Sequence, residues 1–399
     1  MEASQLCVTA GVSVGPFALG QSLNAATAAL RTLAATFHAR DGTECAVKLV
    51  VDQKNPATTD ILLIAPWLGL CCRFDPKDQT LRLIELYSLN AHSLPLAISV
   101  GGHELASPRA IPTLQAVFKR LGPTYPGCHI PEKNEFCLGY PGLALLFPIP
   151  PTSTLSDTHA TVSTDLLLTT AKTQPVASRL YVFNPTANAT AITPDFLSLA
   201  HPPLLSSRAA ALLHALPGRG ISLPHSGANL SFGASAQDVL AALGPASDIY
   251  LASARDNVIP TGAVASPSNV STSQEIKESA IWNYFHLGLD VVMDANTGNS
   301  VIERFVLHTN LPMHYSFGRY VRCRFRMLLN HDGDRGHLID ASSSWSSVQK
   351  LLGPPPSHMV YNKAMGSSPF GGSEYFGYEG LIFEVVDGNH VASIVMFRV

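Results

Sequence analysis

The chain has 399 residues, more than one compact core holds at roughly 100–200 residues per domain. Only 14% of residues are charged and the net charge is −3, which argues against the basic face that nucleic acid needs and against a polybasic block for acidic lipid. Hydrophobic residues, at 46%, exclude a disordered chain.

The opening "MEASQLCVTAGVSVGPFAL" has neither the basic region nor the clean apolar stretch of a signal peptide. "FALGQSLNAATAALRTL" then predicts a first helix capped at Ser22. The longest apolar run, "ILLIAPWLGLCC" (61–72), falls short of the ~20 residues that span a bilayer. Within it begins "GLCCRFD", a strand from Gly69 that leads through the turn "DPKDQT" to a return strand, "LRLIEL" (81–86).

A second helix starts at Thr113 and stops in "AVFKRLGPT" (116–124). "GLALLFP" follows from Gly142. A Pro/Ser/Thr-rich insertion, roughly 148–176, reads as a flexible loop before the strand "SRLYVFNP" (178–185). The third helix starts at Ser235, where Asp238 suggests a capping box, and stops in "VLAALGPAS" (239–247). "GLDVVMD" from Gly288, the turn "DANTGN" and "VIERFVLH" (301–308) complete that copy. The fourth helix runs from Ser344 to "VQKLLGPPP" (348–356), followed by "GLIFEVVD" from Gly380, "DGNH" and "VASIVMF" (391–397). The Ser/Gly/Pro-rich stretches 253–279 and 364–374 read as further mobile loops.

The chain therefore repeats itself. Val117, Val239 and Val348 coincide, as do Leu121, Leu243 and Leu352 one helical turn later. Gly122, Gly244 and Gly353 then supply a left-handed stop, and proline prevents continuation. In the worn first copy Arg31 replaces that glycine, so its helix is expected to run further. The predicted class is α+β: four modules, each an amphipathic helix followed by an antiparallel meander, standing singly or as pseudo-symmetric pairs. The modules are 1–105, 106–225 with the insertion, 226–330 and 331–399.

Residues that carry chemistry are sparse. Cys7, Cys45, Cys71, Cys72, Cys128, Cys137 and Cys323 form no C-x-x-C and read as reduced thiols of a cytoplasmic protein. "FVLHTNLPMHYSFGRYVRCRF" (305–325) gathers His308, His314 and Cys323, but their spacing matches no familiar zinc pattern. A hydrolase or metal-dependent enzyme centred on them is the minority reading. "NHDGDRGHLID" (330–340) lacks the ligand alternation of a calcium loop and reads as a hairpin tip or surface loop. The repeated Asp75, Asp294 and Asp387 read as turn residues. No catalytic residue, cofactor or metal site is assigned. The unrepeated stretches 305–325 and 367–397 are the better functional candidates.

Those stretches carry a family likeness. "NYFHLGLDVVMDANTGNSVIERFVLHTN" (283–310), "FVLHTNLPMHYSFGRYVRCRF", "PFGGSEYFGYEGLIFEV" (369–385) and "NHVASIVMF" (389–397) resemble the signatures of the phagosome assembly factor 1 family. "FALGQSLNAATAAL", "DPKDQTLRLIELY" (75–87), "AIPTLQAVFKRLGPTYPG" (110–127) and "SFGASAQDVLAALGPASDIY" (231–250) fit it in order. The resemblance implies a non-catalytic adaptor of autophagy. It would work with a WD-repeat partner of the breast-carcinoma-amplified-sequence type, in the cytoplasm and at forming autophagosome membranes, reached peripherally through the complex. A membrane-trafficking adaptor or a lipid-binding module is the alternative. More weakly, the modules resemble the units of bacterial outer-membrane assembly lipoproteins and β-lactamase inhibitor proteins, which are binding scaffolds.

The aromatics and arginines of the two stretches suggest a docking face: Tyr315, Phe317, Arg319, Tyr320, Arg322, Phe370 and Tyr378. The competing reading is core or turn. Tyr375 and Phe376 align with Tyr284 and Phe285 of the third copy as repeated strand residues.

Overall fold

A computed structural model of the chain describes residues 5–42, 44–52, 54–56, 58–87, 89, 96–124, 127–149, 161–162, 174–185, 203, 212–252, 279–294, 300–312, 314–329, 337–361 and 372–399. Most of the three expected loops, at 148–176, 253–279 and 364–374, lies outside the described residues. The chain divides into two compact units, Met1–Leu204 and Leu205–Val399. The cut falls upstream of the 225/226 module boundary read from the sequence.

Among the described residues there are four α-helices: α1 (Leu23–Asp41), α2 (Leu114–Leu121), α3 (Ala236–Leu243) and α4 (Trp345–Leu352). Each begins at the expected hydroxyl residue. Ser22, Thr113, Ser235 and Ser344 accept from the N–H three residues on, at 3.2–3.3 Å. This satisfies one donor that the first turn leaves open. Asp238 completes the capping box by accepting from the Ser235 N–H at 2.9 Å. Each capping residue also bridges to the foot of its own module's return strand: Ser22 to Thr80, Thr113 to Val176, Ser235 to Val301 and Ser344 to His390. The repeat is thus one helix pinned at its start across one return strand.

The helix stops differ from expectation in one respect. Gly122, Gly244 and Gly353 have φ of 83°, 75° and 77° with ψ of −173°, −165° and −169°. This is not the left-handed helical state but an extended positive-φ region that only glycine occupies readily. The carbonyls so exposed are taken by tyrosine hydroxyls: Tyr140 donates to Gly122 O at 3.1 Å, Tyr284 to Gly244 O at 3.0 Å and Tyr378 to Gly353 O at 2.8 Å. Each tyrosine ends the strand before a Gly-Leu turn, paired with Leu143, Leu289 and Leu381. Tyr378, not Tyr375, is therefore the counterpart of Tyr284. The turn before Gly380 is shorter than the turn before Gly288, so an ungapped alignment slips. As expected, α1 runs on, to a left-handed Gly42 at φ 64° and ψ 13°.

Each unit contains one large antiparallel sheet. In the first, nine strands lie in the order Thr161–Val162, Gly127–Ile130, Glu135–Tyr140, Leu143–Pro148, Arg179–Phe183, Leu81–Tyr87, Leu70–Phe74, Ile61–Ala65 and Lys48–Val50. In the second, eight lie in the order Asp248–Ala252, Ser279–Tyr284, Leu289–Asp294, Val301–His308, His390–Phe397, Leu381–Val386, Ser373–Tyr378 and Ser357–Tyr361. The two return strands of each unit pair antiparallel at the centre, which makes the modules a pseudo-symmetric pair.

A second, five-stranded sheet in each unit was not read from the sequence. It joins Gln5–Thr9 in parallel to Ala97–Val100, and Leu213–Leu216 in parallel to Phe325–Leu329. Phe325–Leu329 and His337–Asp340 also pair antiparallel, and 330–336, read from the sequence as a hairpin tip or surface loop, lies outside the described residues. In the second unit, Val239, Trp345 and Val348 of the helices share one core with Phe305 and Phe383 of the large sheet and Met327 and Ile339 of the small one. Burying those apolar faces together leaves the opposite face of the large sheet for other uses.

Candidate functional site

That opposite face carries carboxylates where a buried strand ordinarily carries none. Asp290 and Glu384 sit in the apolar strands "LDVVMD" and "LIFEVV", and both are buried. Each is met by side chains from the segment 309–324, which leaves the end of Val301–His308 and folds back over the sheet.

Asp290 receives three partners. His308 Nε2 lies 2.8 Å from its Oδ2, the Tyr320 hydroxyl donates to the same oxygen at 3.0 Å, and Asn283 Nδ2 donates to Oδ1 at 2.8 Å. The rings of His308 and Tyr320 stack at 3.8 Å. Burial, and then the charge of Asp290, push the Tyr320 phenol up, so it stays a donor. Glu384 has its own set. His314 Nε2 at 3.1 Å and the Tyr375 hydroxyl at 2.9 Å meet Oε1, while the Ser393 hydroxyl donates to Oε2 at 2.7 Å. Burial alone would raise the Glu384 carboxyl. Hydrogen bonds from His314 and Ser393, with the His314 charge, outweigh it and hold the pKa at about 2.

The backbone of the segment is fixed as firmly. Thr309 donates its hydroxyl to Val391 O at 2.7 Å and Ala392 O at 2.9 Å, and Arg322 Nε donates to Thr309 O at 2.7 Å. Asn310, at φ 50°, accepts from Gly318 N at 2.9 Å. Asparagine is one of the few side chains that tolerates that φ. Leu311 is buried against Val386 and Ala392. At the far end Val321 N donates to Phe285 O at 2.9 Å and Cys323 N to His308 O at 2.8 Å.

The seven candidate docking residues fall into different places. Tyr315 is 73% exposed, and its ring leans on His314 at 4.2 Å. Arg319 is exposed and lies over the rings of Phe285 and Tyr320 at 5.2 and 5.9 Å. Phe317 is half-buried. Tyr320 and Arg322 are buried beneath the segment, and half-buried Tyr378 is the latch on Gly353. Phe370 lies outside the described residues.

Nor do His308, His314 and Cys323 converge. The histidines serve different carboxylates on the polar face, whereas Cys323 belongs to the apolar core, where burial pushes its thiol up. Among the described residues no group of three or more His, Cys, Asp or Glu is placed to hold a metal ion. The Ser393 hydroxyl gives its proton to Glu384 rather than to a histidine, so it is not set up as a nucleophile. This arrangement orders a surface segment from below. The sequence reading missed Asp290, Glu384, Asn283 and Ser393. The available signal was a lone carboxylate inside each of two apolar strands.

The segment and its sheet lie inside a family match that covers nearly the whole chain. A sequence model of the phagosome assembly factor 1 family matches residues 13–397. The chain belongs to that family. It is 28% identical over 396 residues to a PHAF1 protein of Arabidopsis thaliana, covering 97% of this chain and 92% of the relative. A PHAF1 protein of Drosophila melanogaster is 27% identical, with 98% and 92% covered, and one of Caenorhabditis elegans 24%, with 96% and 90% covered. No solved structure matches. Among the described residues no helix is long and apolar enough to cross a membrane.

Proposed function

We propose that this phagosome assembly factor 1 family member is a non-catalytic scaffold that regulates autophagy. In this reading it binds a WD-repeat protein of the breast-carcinoma-amplified-sequence type and reaches the phagophore from the cytoplasm through that complex. The observation that carries the reading is the segment 309–324: its underside is locked to buried carboxylates while Tyr315 and Arg319 stand exposed on top. A rigid aromatic and a stacked arginine make good anchors because little rotamer freedom remains to be lost on binding.

The test is the affinity of purified full-length protein for the WD-repeat partner. Tyr315→Ala and Arg319→Ala should each weaken binding by ~2 kcal/mol, roughly 30-fold. Variants that bind like the parent would sink the docking face.

A further inference from the structure

The hairpin that follows the helix carries two opposed thiols in the second module. There the strands Gly127–Ile130 and Glu135–Tyr140 set Cys128 directly opposite Cys137. Counted from the helix stops Gly122, Gly244 and Gly353, the same position holds Tyr250 opposite Ile281 in the third module and Met359 opposite Tyr375 in the fourth. Those positions carry large side chains, whereas the second module offers two small sulfurs. Its register is fixed at the far end of the strand, where Tyr140 donates to Gly122 O at 3.1 Å and the Thr124 hydroxyl donates to Gly139 O. A slip of one residue would turn every side chain of the strand to the other face, so the thiols stay opposed.

Both thiols are free. Cys128 is half-buried, and its Sγ donates weakly to the neighbouring His129 O at 3.6 Å. Cys137 is buried, in one apolar cluster with Ile130, Leu146 and Tyr181. Directly opposed residues on antiparallel strands bring their Cα atoms to ~4.5–5.5 Å, inside the ~4.4–6.8 Å that a disulfide spans. Their Cβ atoms lie ~4.5–5.5 Å apart, against ~3.5–4.5 Å in a relaxed disulfide. Closing the bridge therefore draws the two strands together, and a bridge under strain is readily reduced again. Burial pushes both thiols up, Cys137 to about 12 with the Cys128 charge adding to it. Thiols so raised exchange slowly, so the pair stays reduced until oxidation is sustained.

We propose that Cys128 and Cys137 form a reversible dithiol–disulfide site whose oxidant is a small disulfide of the glutathione class. The Cys128 thiolate, the more accessible of the two, attacks one sulfur of the oxidant, forms a mixed disulfide and expels one thiol. The Cys137 thiolate then attacks Cys128 Sγ and expels the second. Two protein thiols lose two protons and two electrons, and one small disulfide becomes two thiols. The bridge ties the strand that follows α2 to the strand that ends in the Tyr140 latch. The proposal does not rest on the WD-repeat reading.

The test incubates the purified, fully reduced full-length protein with glutathione disulfide in native buffer at mildly alkaline pH. Remaining thiols are then blocked with N-ethylmaleimide in denaturant, and the peptides are mapped by mass spectrometry. The expected result, in most molecules, is an intramolecular peptide pair joined through Cys128 and Cys137, lighter by two hydrogens and separated by dithiothreitol. Cys137→Ser should stop the reaction at a glutathione adduct on Cys128, and Cys128→Ser should slow modification of Cys137 about tenfold or more. Where a serine variant fails to fold, the alanine variant, judged at unchanged melting temperature, decides. Both thiols remaining free, a glutathione adduct that persists on Cys128 of the parent, a bridge from either residue to another cysteine or to a second copy, or a bridge that forms only in denaturant would overturn the proposal.

Discussion

The two units share a scaffold and differ on the open face of the large sheet. In the first unit, Glu85 takes the Tyr181 hydroxyl at 3.1 Å and stands 3.7 and 3.6 Å from Arg73 and Arg179. Everything in that cluster comes from neighbouring strands. In the second unit the carboxylates are held instead by histidines and tyrosines, and two of these, His314 and Tyr320, come from the connection 309–324; the corresponding connection of the first unit, 88–96, is shorter, and most of it lies outside the described residues. The backbone equivalence beneath is close: Tyr87 N donates to Gly69 O at 2.7 Å, and His308 N to Gly288 O at 2.9 Å. His308 therefore occupies the place of Tyr87. The repeated scaffold shares its turns and caps, while in the second unit the connection that follows one return strand uses the sheet as a base.

The largest expected effects test the equivalence itself. A Cβ at Gly288 would lie 2.2 Å from Val321 O and 2.6 Å from Cys323 N, and one at Gly69 would lie 2.6 Å from Tyr87 O. Both residues have positive φ, 68° and 64°. Alanine at either site should cost about 3–5 kcal/mol in denaturant unfolding or prevent folding. A mild Gly69→Ala beside a severe Gly288→Ala would break the comparison.

Next in size is the buried pair beneath the segment. Glu384→Gln should destabilise by roughly 2–4 kcal/mol at neutral pH, because His314 loses its charged partner. The Glu384 carboxyl titrates at about 2 when folded against an ordinary 4.5. Its contribution is therefore complete above the ordinary value and is lost as pH falls toward the folded one. Urea midpoints measured down that range should fall more steeply in the parent than in the variant, and parallel curves would contradict the assignment.

Smaller effects sharpen the repeat. Tyr140→Phe, Tyr284→Phe and Tyr378→Phe should each cost about 1 kcal/mol, since each strands a glycine carbonyl. Three similar values support one latch used three times, whereas a neutral Tyr378→Phe would free that residue for binding. Smallest of all, Tyr315→Ala should shift stability by less than about 0.5 kcal/mol, because the ring rests on the segment without filling a core.

Local features were legible because local chemistry causes them. Hydroxyl caps, the Asp238 box, Asx turns such as Asp75 accepting from Lys77 N at 2.9 Å, and Gly-Leu strand starts all depend on neighbours a few residues away. The long α1 was legible for the same reason: a residue with a Cβ stood where the stop required glycine. The tyrosine latches were hidden because a turn of different length precedes Gly288 and Gly380, and only the pairing register aligns Tyr284 with Tyr378.

By itself, the sequence determined the four helices, with the starts of all and the ends of all but the first, the meanders and the fourfold repeat, since 3.6- and 2-residue periodicities and capping are written in short windows. Tertiary structure alone decided the small sheets, whose parallel partners lie far apart in the chain. It also decided how the polar stretch divides. Tyr320 and His314 turn inward because Asp290 and Glu384, brought in on other strands, capture one side of the segment, and Arg322 turns inward to the Thr309 carbonyl, while Tyr315 and Arg319 are left outward. Composition records which residues are present, but the pairing of distant strands sets which of them meet water.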